Sequence, residues 1–257
     1  MLTFPEISPV FLEIGPIAFR WYGLMYAVSI LLAWHLLRTN QRNRELTEEQ
    51  VDSLLTYVAL GVILGGRLGY FLFYAPHYFL ENPLYIIQLY HPGMAFHGGL
   101  LGVMFSVYLF SRVHKVTFLK VIDLIAITVP IGLGLGRIGN FINGELWGRI
   151  TDVPWAMVFP NSDNMPRHPS QLYEAGLEGL LLFVILWSYA KKPRKAGVLS
   201  AIFLVGYSIS RGFVEFFREP DLQYGLLLGK LTMGQLLSLP MLFLGIILLF
   251  WSLKQKD

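Results

Sequence analysis

The chain has 257 residues, of which 54% are hydrophobic and only 14% charged. A soluble domain carries about 25% charged residues, and the mean hydropathy here is +0.54, so a soluble enzyme is excluded and a polytopic membrane protein is expected. Cysteine is absent, which rules out disulfides, thiolate metal sites and a cysteine nucleophile. The net charge of +3 falls in short inter-helix loops, where membrane topology explains it better than nucleic-acid binding.

Residues 1–17 carry Pro5, Pro9, Gly15 and Pro16 among scattered apolar residues. They read as an interfacial segment rather than a cleavable signal peptide, because no basic start precedes an apolar core. The first span is expected at about 18–37, opening on Arg20-Trp21-Tyr22-Gly23, an aromatic anchor at a water boundary. A basic loop with Arg38, Arg42 and Arg44 follows, and Thr47-Glu-Glu-Gln50 reads as a capping box opening the second span, about 51–74. Gly61, Gly65 and Gly69 recur every four residues within it and read as a helix-packing face. Arg67 is an intramembrane charge. The loop 75–92 has His77 and His91 but no Lys or Arg.

The third span, about 93–110, opens with Phe96-His97-Gly98-Gly99; Arg112, Lys115 and Lys120 follow. The fourth is about 121–142. A polar stretch, 143–170, holds Pro154, Pro160, Pro166 and Pro169. It leads into His168-Pro-Ser170-Gln-Leu-Tyr-Glu174, a helix start with Ser170 as the expected cap. The fifth span is about 171–189, the sixth about 197–217 and the seventh about 233–253. The loops after spans one, three, five and seven hold 12 of the 20 Lys and Arg; the opposite side holds 5 and the spans 3. The positive-inside rule therefore sets the N-terminus outside and the C-terminus in the cytoplasm.

Residues 134–149 concentrate the chemistry. Gly134, Gly136 and Gly139 let another helix or a ligand approach closely, and Arg137 and Asn140 share a helical face. Two readings stand: a guanidinium snorkelling to the interface, or an anion site built with Asn140, Asn143, Glu145 and Arg149. The glycine spacing matches a dinucleotide fingerprint but lacks its strand and following acid. Gly66-Arg67-Leu-Gly69 echoes Gly136-Arg137-Ile-Gly139, as a parallel repeat would. In span six, Tyr207, Arg211, Glu215 and Arg218 fall within roughly an 80° arc. Either Arg211 and Glu215 form a structural i,i+4 pair, or Arg211 and Arg137 converge on one anion with Glu174 nearby. His97 alone reads more readily as a hydrogen-bonded structural histidine, although it is the only His beside a Gly-Gly at a span's outer end; His35, His77, His91 and His114 read as structural. Carboxylates and histidines show no metal-ligand spacing.

These blocks together resemble the prolipoprotein diacylglyceryl transferases, bacterial membrane enzymes of lipoprotein maturation. The resemblance runs over essentially the whole chain. Its most specific part is Gly136-Arg-Ile-Gly-Asn-Phe-Ile-Asn-Gly-Glu-Leu-Trp-Gly-Arg149. It continues through Trp21-Tyr22-Gly23, His97-Gly-Gly99, the 168–174 block and Arg211-Gly-Phe-Val-Glu215-Phe-Phe-Arg-Glu-Pro-Asp221. It implies transfer of diacylglyceryl from phosphatidylglycerol to the thiol of the lipobox Cys in a prolipoprotein signal peptide, releasing glycerol 1-phosphate. It implies catalytic weight on Arg137 and Arg211, and substrate binding by Tyr22, Arg137, Asn140, Glu145, Gly148, Glu174, Tyr207, Glu215 and Arg218. His97 is the candidate base, since imidazole is neutral near pH 7 and neither Arg can deprotonate.

The expected fold is all-α: a bundle of about seven transmembrane helices forming one domain over 1–257, with a small extracytoplasmic segment at about 143–170. The expected location is the bacterial cytoplasmic (inner) membrane, with the site towards the outer leaflet. No cofactor, metal or nucleic acid is expected; the partners are membrane lipid and the two substrates. The rival class is a transporter or flippase for an anionic lipid or solute, which needs a polar route through the inner halves of the spans.

Overall fold

The structure, a computed structural model, describes residues 2–5, 7–39, 46–77, 93–160, 162–220 and 231–255. Arg42, Arg44, His91, Asp221, Lys230 and Lys256 lie outside the described residues. The helices are α1 (Trp21–Thr39), α2 (Glu48–Phe73), α3 (Phe96–His114), α4 (Phe118–Ile142), α5 (Ser170–Tyr189), α6 (Val198–Val214) and α7 (Met233–Lys254). Among them α2, α3, α4, α5 and α7 are long and apolar enough to cross a membrane; α6 is apolar and shorter.

The chain forms two compact units: residues 1–36 with 123–257, and residues 37–122. In the second, α2 begins at a reciprocal capping box. Gln50 N donates to Thr47 Oγ1 at 3.2 Å, and Thr47 N donates to Gln50 Oε1 at 2.9 Å. The α2 glycines meet glycines of α3. A Cβ on Gly69 would stand 2.7 Å from Gly98 Cα, and one on Gly65 would stand 2.7 Å from Gly102 Cα. Larger residues there would force the backbones apart. Arg67 is buried; its Nη1 donates to Gly93 O at 3.1 Å, and its guanidinium lies over the Phe71 ring at 4.9 Å. That intramembrane charge thus ties the entry of α3 to α2.

In the first unit, α4, α5 and α6 share an apolar core of Ile127, Leu182, Leu186 and Leu199, with Phe183, Trp187 and Tyr207 packed against it. Asp123 near the start of α4 caps α6: its carboxylate accepts from Gly197 N at 2.8 Å, from Ser200 N at 2.7 Å and from the Ser200 hydroxyl. α7 opens on a second capping box, Thr232 with Gln235, and packs through Gly245 against Leu204 and Val205 of α6.

The N-terminal segment holds strands that its composition did not announce. β1 (Leu2–Thr3) pairs in parallel with β4 (Met157–Val158), while β2 (Val10–Ile14) and β3 (Ile17–Arg20) form a hairpin. The turn places Gly15 at φ +58° before Pro16, a left-handed position that suits glycine. Residues 18–20, expected inside the first span, therefore belong to β3, and α1 starts at Trp21.

Candidate active site

The site is assembled from α4, α5, α6 and the polar stretch between α4 and α5. Two glycines bring α4 and α5 together. A Cβ on Gly179 would stand 2.6 Å from Gly134 Cα, so only bare backbones approach this closely. That contact sets Arg137, one turn beyond Gly134, beside Glu174. Residues Ala175–Leu181 of α5 run as a π-helix, a local widening often found at functional sites.

Glu174 is fully buried, and two guanidiniums meet on one of its oxygens. Arg137 Nε and Arg211 Nη1 each lie 2.7 Å from Glu174 Oε2. Arg211 Nη2 also pairs with Glu215, one turn along, and Arg218 Nη1 stands 3.5 Å from Glu215 Oε1. The four polar positions of span six stay together although the helix ends at Val214; Glu215 caps it and a turn carries the chain to Arg218. Both geometric expectations for Arg211 are realised at once, the i,i+4 pair and convergence with Arg137. The shared anion is Glu174.

Glu145 forms a second centre. Its Oε1 accepts from Asn140 Nδ2 at 2.8 Å and Asn143 Nδ2 at 3.1 Å. The turn that reverses the chain here runs through Gly144 at φ +64° and Leu146 at φ +59°. Gln171 Nε2 donates to Glu145 O at 2.7 Å and Ser170 Oγ to Leu146 O at 3.1 Å. Ser170, expected as the helix cap, is instead the first residue of α5, and Pro169 takes the cap position. The hydroxyl has found an acceptor in the incoming turn.

Gly148 lies where three segments cross. Its N donates to His168 O at 2.8 Å, Arg149 N donates to Phe217 O at 2.8 Å, and Arg149 Nε donates to Arg218 O at 3.0 Å. A Cβ on Gly148 would collide with Phe217 O and stand 2.7 Å from His168 Cβ. Arg167 braces the crossing: it donates to Gly148 O at 3.0 Å and pairs with Asp163 at 2.9 Å and Glu219 at 3.0 Å. Arg167 holds the Asp163 carboxyl below the usual carboxylate range. Burial pushes the His168 imidazole below its ordinary value.

Tyr22 reaches the site from α1, which packs on α4 at Gly139; a Cβ there would stand 3.0 Å from Tyr22 Cδ2. Its hydroxyl lies 3.1 Å from that of Tyr26, and Glu145 and Arg137 are its charged neighbours. Tyr207 on α6 faces Glu178, Arg211, Arg137 and Glu174. So Tyr22, Arg137, Asn140, Glu145, Gly148, Glu174, Tyr207, Arg211, Glu215 and Arg218 all belong to one unit. His97 is the second residue of α3, in the other unit, and its side chain is exposed. Among the described residues no cluster of His, Asp or Glu could hold a metal ion. Sequence reasoning missed Glu178, fully buried one turn beyond Glu174. A carboxyl within an apolar span was the available signal.

Fold and site together define a polytopic helical membrane protein that buries an Arg–Glu network among three helices. The family model described as prolipoprotein diacylglyceryl transferase matches residues 9–251. Similar proteins include the phosphatidylglycerol–prolipoprotein diacylglyceryl transferase of Photobacterium profundum, 54% identical over 99% of this chain and 97% of that protein. Its namesake in Nitrosomonas europaea is 53% identical over 99% and 93%, and that of Bordetella parapertussis is 55% identical over 95% of each chain. The chain belongs to the prolipoprotein diacylglyceryl transferase family, and is a transferase.

Proposed function

We propose that this protein moves the diacylglyceryl group of phosphatidylglycerol to the thiol of the lipobox Cys in a prolipoprotein signal peptide. The products are a thioether and glycerol 1-phosphate. The observation that carries the reading is the state of Arg137. A guanidinium has five N–H donors, and the contact made by Arg137 with Glu174 uses only Nε. Its side chain is 21% exposed and shares that buried carboxylate with Arg211. That is a prepared seat for a phosphodiester, and guanidinium matches phosphate in bidentate geometry.

In the reaction the sulfur forms a bond to the glyceryl carbon, and the carbon–oxygen bond to phosphate breaks. The departing phosphate keeps the electron pair, and Arg137 and Arg211 stabilise the charge it gains. The attacking species is the thiolate, so a base takes the thiol proton. His97 is the candidate for that role on the resemblance alone. Glu174 fixes both guanidiniums, and Glu215 holds Arg211 and Arg218 in register. Asn140 and Glu145 close the side towards the turn at Gly144, with Tyr22, Gly148 and Tyr207 lining the seat.

The membrane is the bacterial cytoplasmic membrane. Seven spans cross it, α1 and α6 completing the five long helices. Residues 143–170 lie outside and the C-terminus lies in the cytoplasm, so the site opens towards the outer leaflet, where lipid and signal peptide both arrive. The test is a mixed-micelle assay with phosphatidylglycerol and a lipobox peptide, reading glycerol phosphate release and peptide mass. Wild type releases glycerol phosphate and adds a diacylglyceryl mass to the peptide. Arg137→Ala, still folded, loses about 10²–10³-fold in rate, the cost of one missing oxyanion donor. Wild type leaving the peptide unmodified, beside an active control enzyme, overturns the reading.

A further inference from the structure

The buried network holds three guanidiniums, Arg137, Arg211 and Arg218, and three carboxyls, Glu174, Glu178 and Glu215. They are not equally supported. Glu174 has two guanidinium contacts at 2.7 Å. Glu215 pairs with Arg211 and Arg218. Among the described residues Glu178 reaches only Arg211 Nη1, at 3.7 Å, with its side chain fully buried. Neither Glu178 oxygen accepts a hydrogen bond from the described residues. The groups facing it are Arg211, Tyr207 and Glu215 from the α6 side, Arg137 from α4 and Glu174 from its own helix.

A buried charge persists only when paired and hydrogen-bonded. Fully ionised, the six groups sum to zero. Phosphatidylglycerol brings one further negative charge, and its phosphate draws on Arg211, the one cation among the described residues that Glu178 touches. The network must then shed a negative charge or carry an unbalanced one in a dry interior, which is costly. Glu174 holds contacts of 2.7 Å to both guanidiniums of the seat, and Glu215 keeps Arg218. Glu178 keeps none of comparable closeness.

We propose that Glu178 is the proton-accepting carboxyl of the lipid-bound enzyme: seating an anionic phosphodiester on Arg137 and Arg211 takes up one proton at Glu178. The carboxylate becomes a neutral acid, the proton comes from solvent, and no other bond changes. Glu178 is a positioning residue in this scheme; it sets the charge that the two guanidiniums present to the lipid. The inference rests on the phosphatidylglycerol reading given above.

The test is calorimetric titration of phosphatidylglycerol into the purified full-length protein in detergent, in HEPES and in Tris, which differ in ionisation enthalpy. Proton uptake appears as a buffer-dependent heat. At pH 8 wild type takes up a proton on binding, and its Kd rises with pH by up to about tenfold per unit. Glu178→Gln, a neutral isostere, takes up none; its Kd is flat with pH and at pH 8.5 lies below that of wild type. Structural damage would weaken binding at every pH, so tighter binding at alkaline pH separates the two. Should the amide variant not fold, Glu178→Met, neutral and of similar length, is read in the same way. Wild-type binding without proton uptake overturns the proposal, as does equal uptake by wild type and Glu178→Gln; both leave the transferase reading intact. Wild type that binds no phosphatidylglycerol overturns that reading and this inference with it.

Discussion

Single residues decide whether the site can exist. Gly148 sits where the backbones of 148–149, 168 and 217–218 cross, and no side chain fits there without moving a carbonyl. At the same crossing His168 places Nδ1 3.1 Å from the Tyr173 hydroxyl and packs its ring on Phe217, centroids 5.2 Å apart. Burial lowers its pKa, so the folded chain favours neutral imidazole while the unfolded chain titrates near the ordinary value of about 6.5. The contribution of His168 to stability is therefore complete above that value and falls as pH drops through it towards the lowered folded value. Thermal unfolding followed from pH 8 to pH 5 should show a decline in midpoint below about pH 6.5 that His168→Gln flattens. An identical decline in the variant would assign the acid sensitivity to other groups.

Elements were legible in the sequence where a periodic or chemical signal repeated over many residues. Thr47 and Gln50 announced the start of α2, and the glycines at 61, 65 and 69 announced its partner face. The hairpin of β2 and β3 was not legible, because two short apolar stretches around Gly15-Pro16 look the same whether they lie flat or pair. The π-helical stretch of α5 was not legible either: it arises where α4 meets Gly179, a tertiary contact. Of the site, Arg137, Arg211 and Glu215 stood out as charges in apolar spans and Glu174 as a neighbour of the two guanidiniums, but that Glu174 is the anion Arg137 and Arg211 share emerged only with the packing of α5. Asp123 belongs to this hidden class. It reaches 74 to 77 residues along the chain to hold the first turn of α6, the helix that carries Tyr207 and Arg211. Asp123→Ala leaves Gly197 N and Ser200 N buried without their acceptor, at a cost of about 2 kcal/mol. A lowered thermal midpoint is expected, restored in part by Asp123→Asn, which keeps one acceptor oxygen. A midpoint unchanged in Asp123→Ala would mean that other groups hold the start of α6.

At the scale of the whole molecule, the distribution of Lys and Arg and the position of the site make one linked claim. The loops after α1, α3, α5 and α7 carry most of the basic residues, and basic loops stay cytoplasmic. The Glu145 turn and the Arg167 brace sit at the opposite end of α4 from Lys120. The proposed reaction on exported signal peptides would call for an outer-leaflet site, because the proposed acceptor Cys would become available only after its precursor has entered the membrane from inside. The chain contains no cysteine, so single introduced thiols report topology without background. Asp152→Cys and Lys192→Cys both lie at exposed positions. In intact spheroplasts a membrane-impermeant maleimide should label Asp152→Cys and leave Lys192→Cys unlabelled until the membrane is opened. The reverse pattern would turn the site to the cytoplasmic face, and a signal peptide would then have to be modified before its translocation.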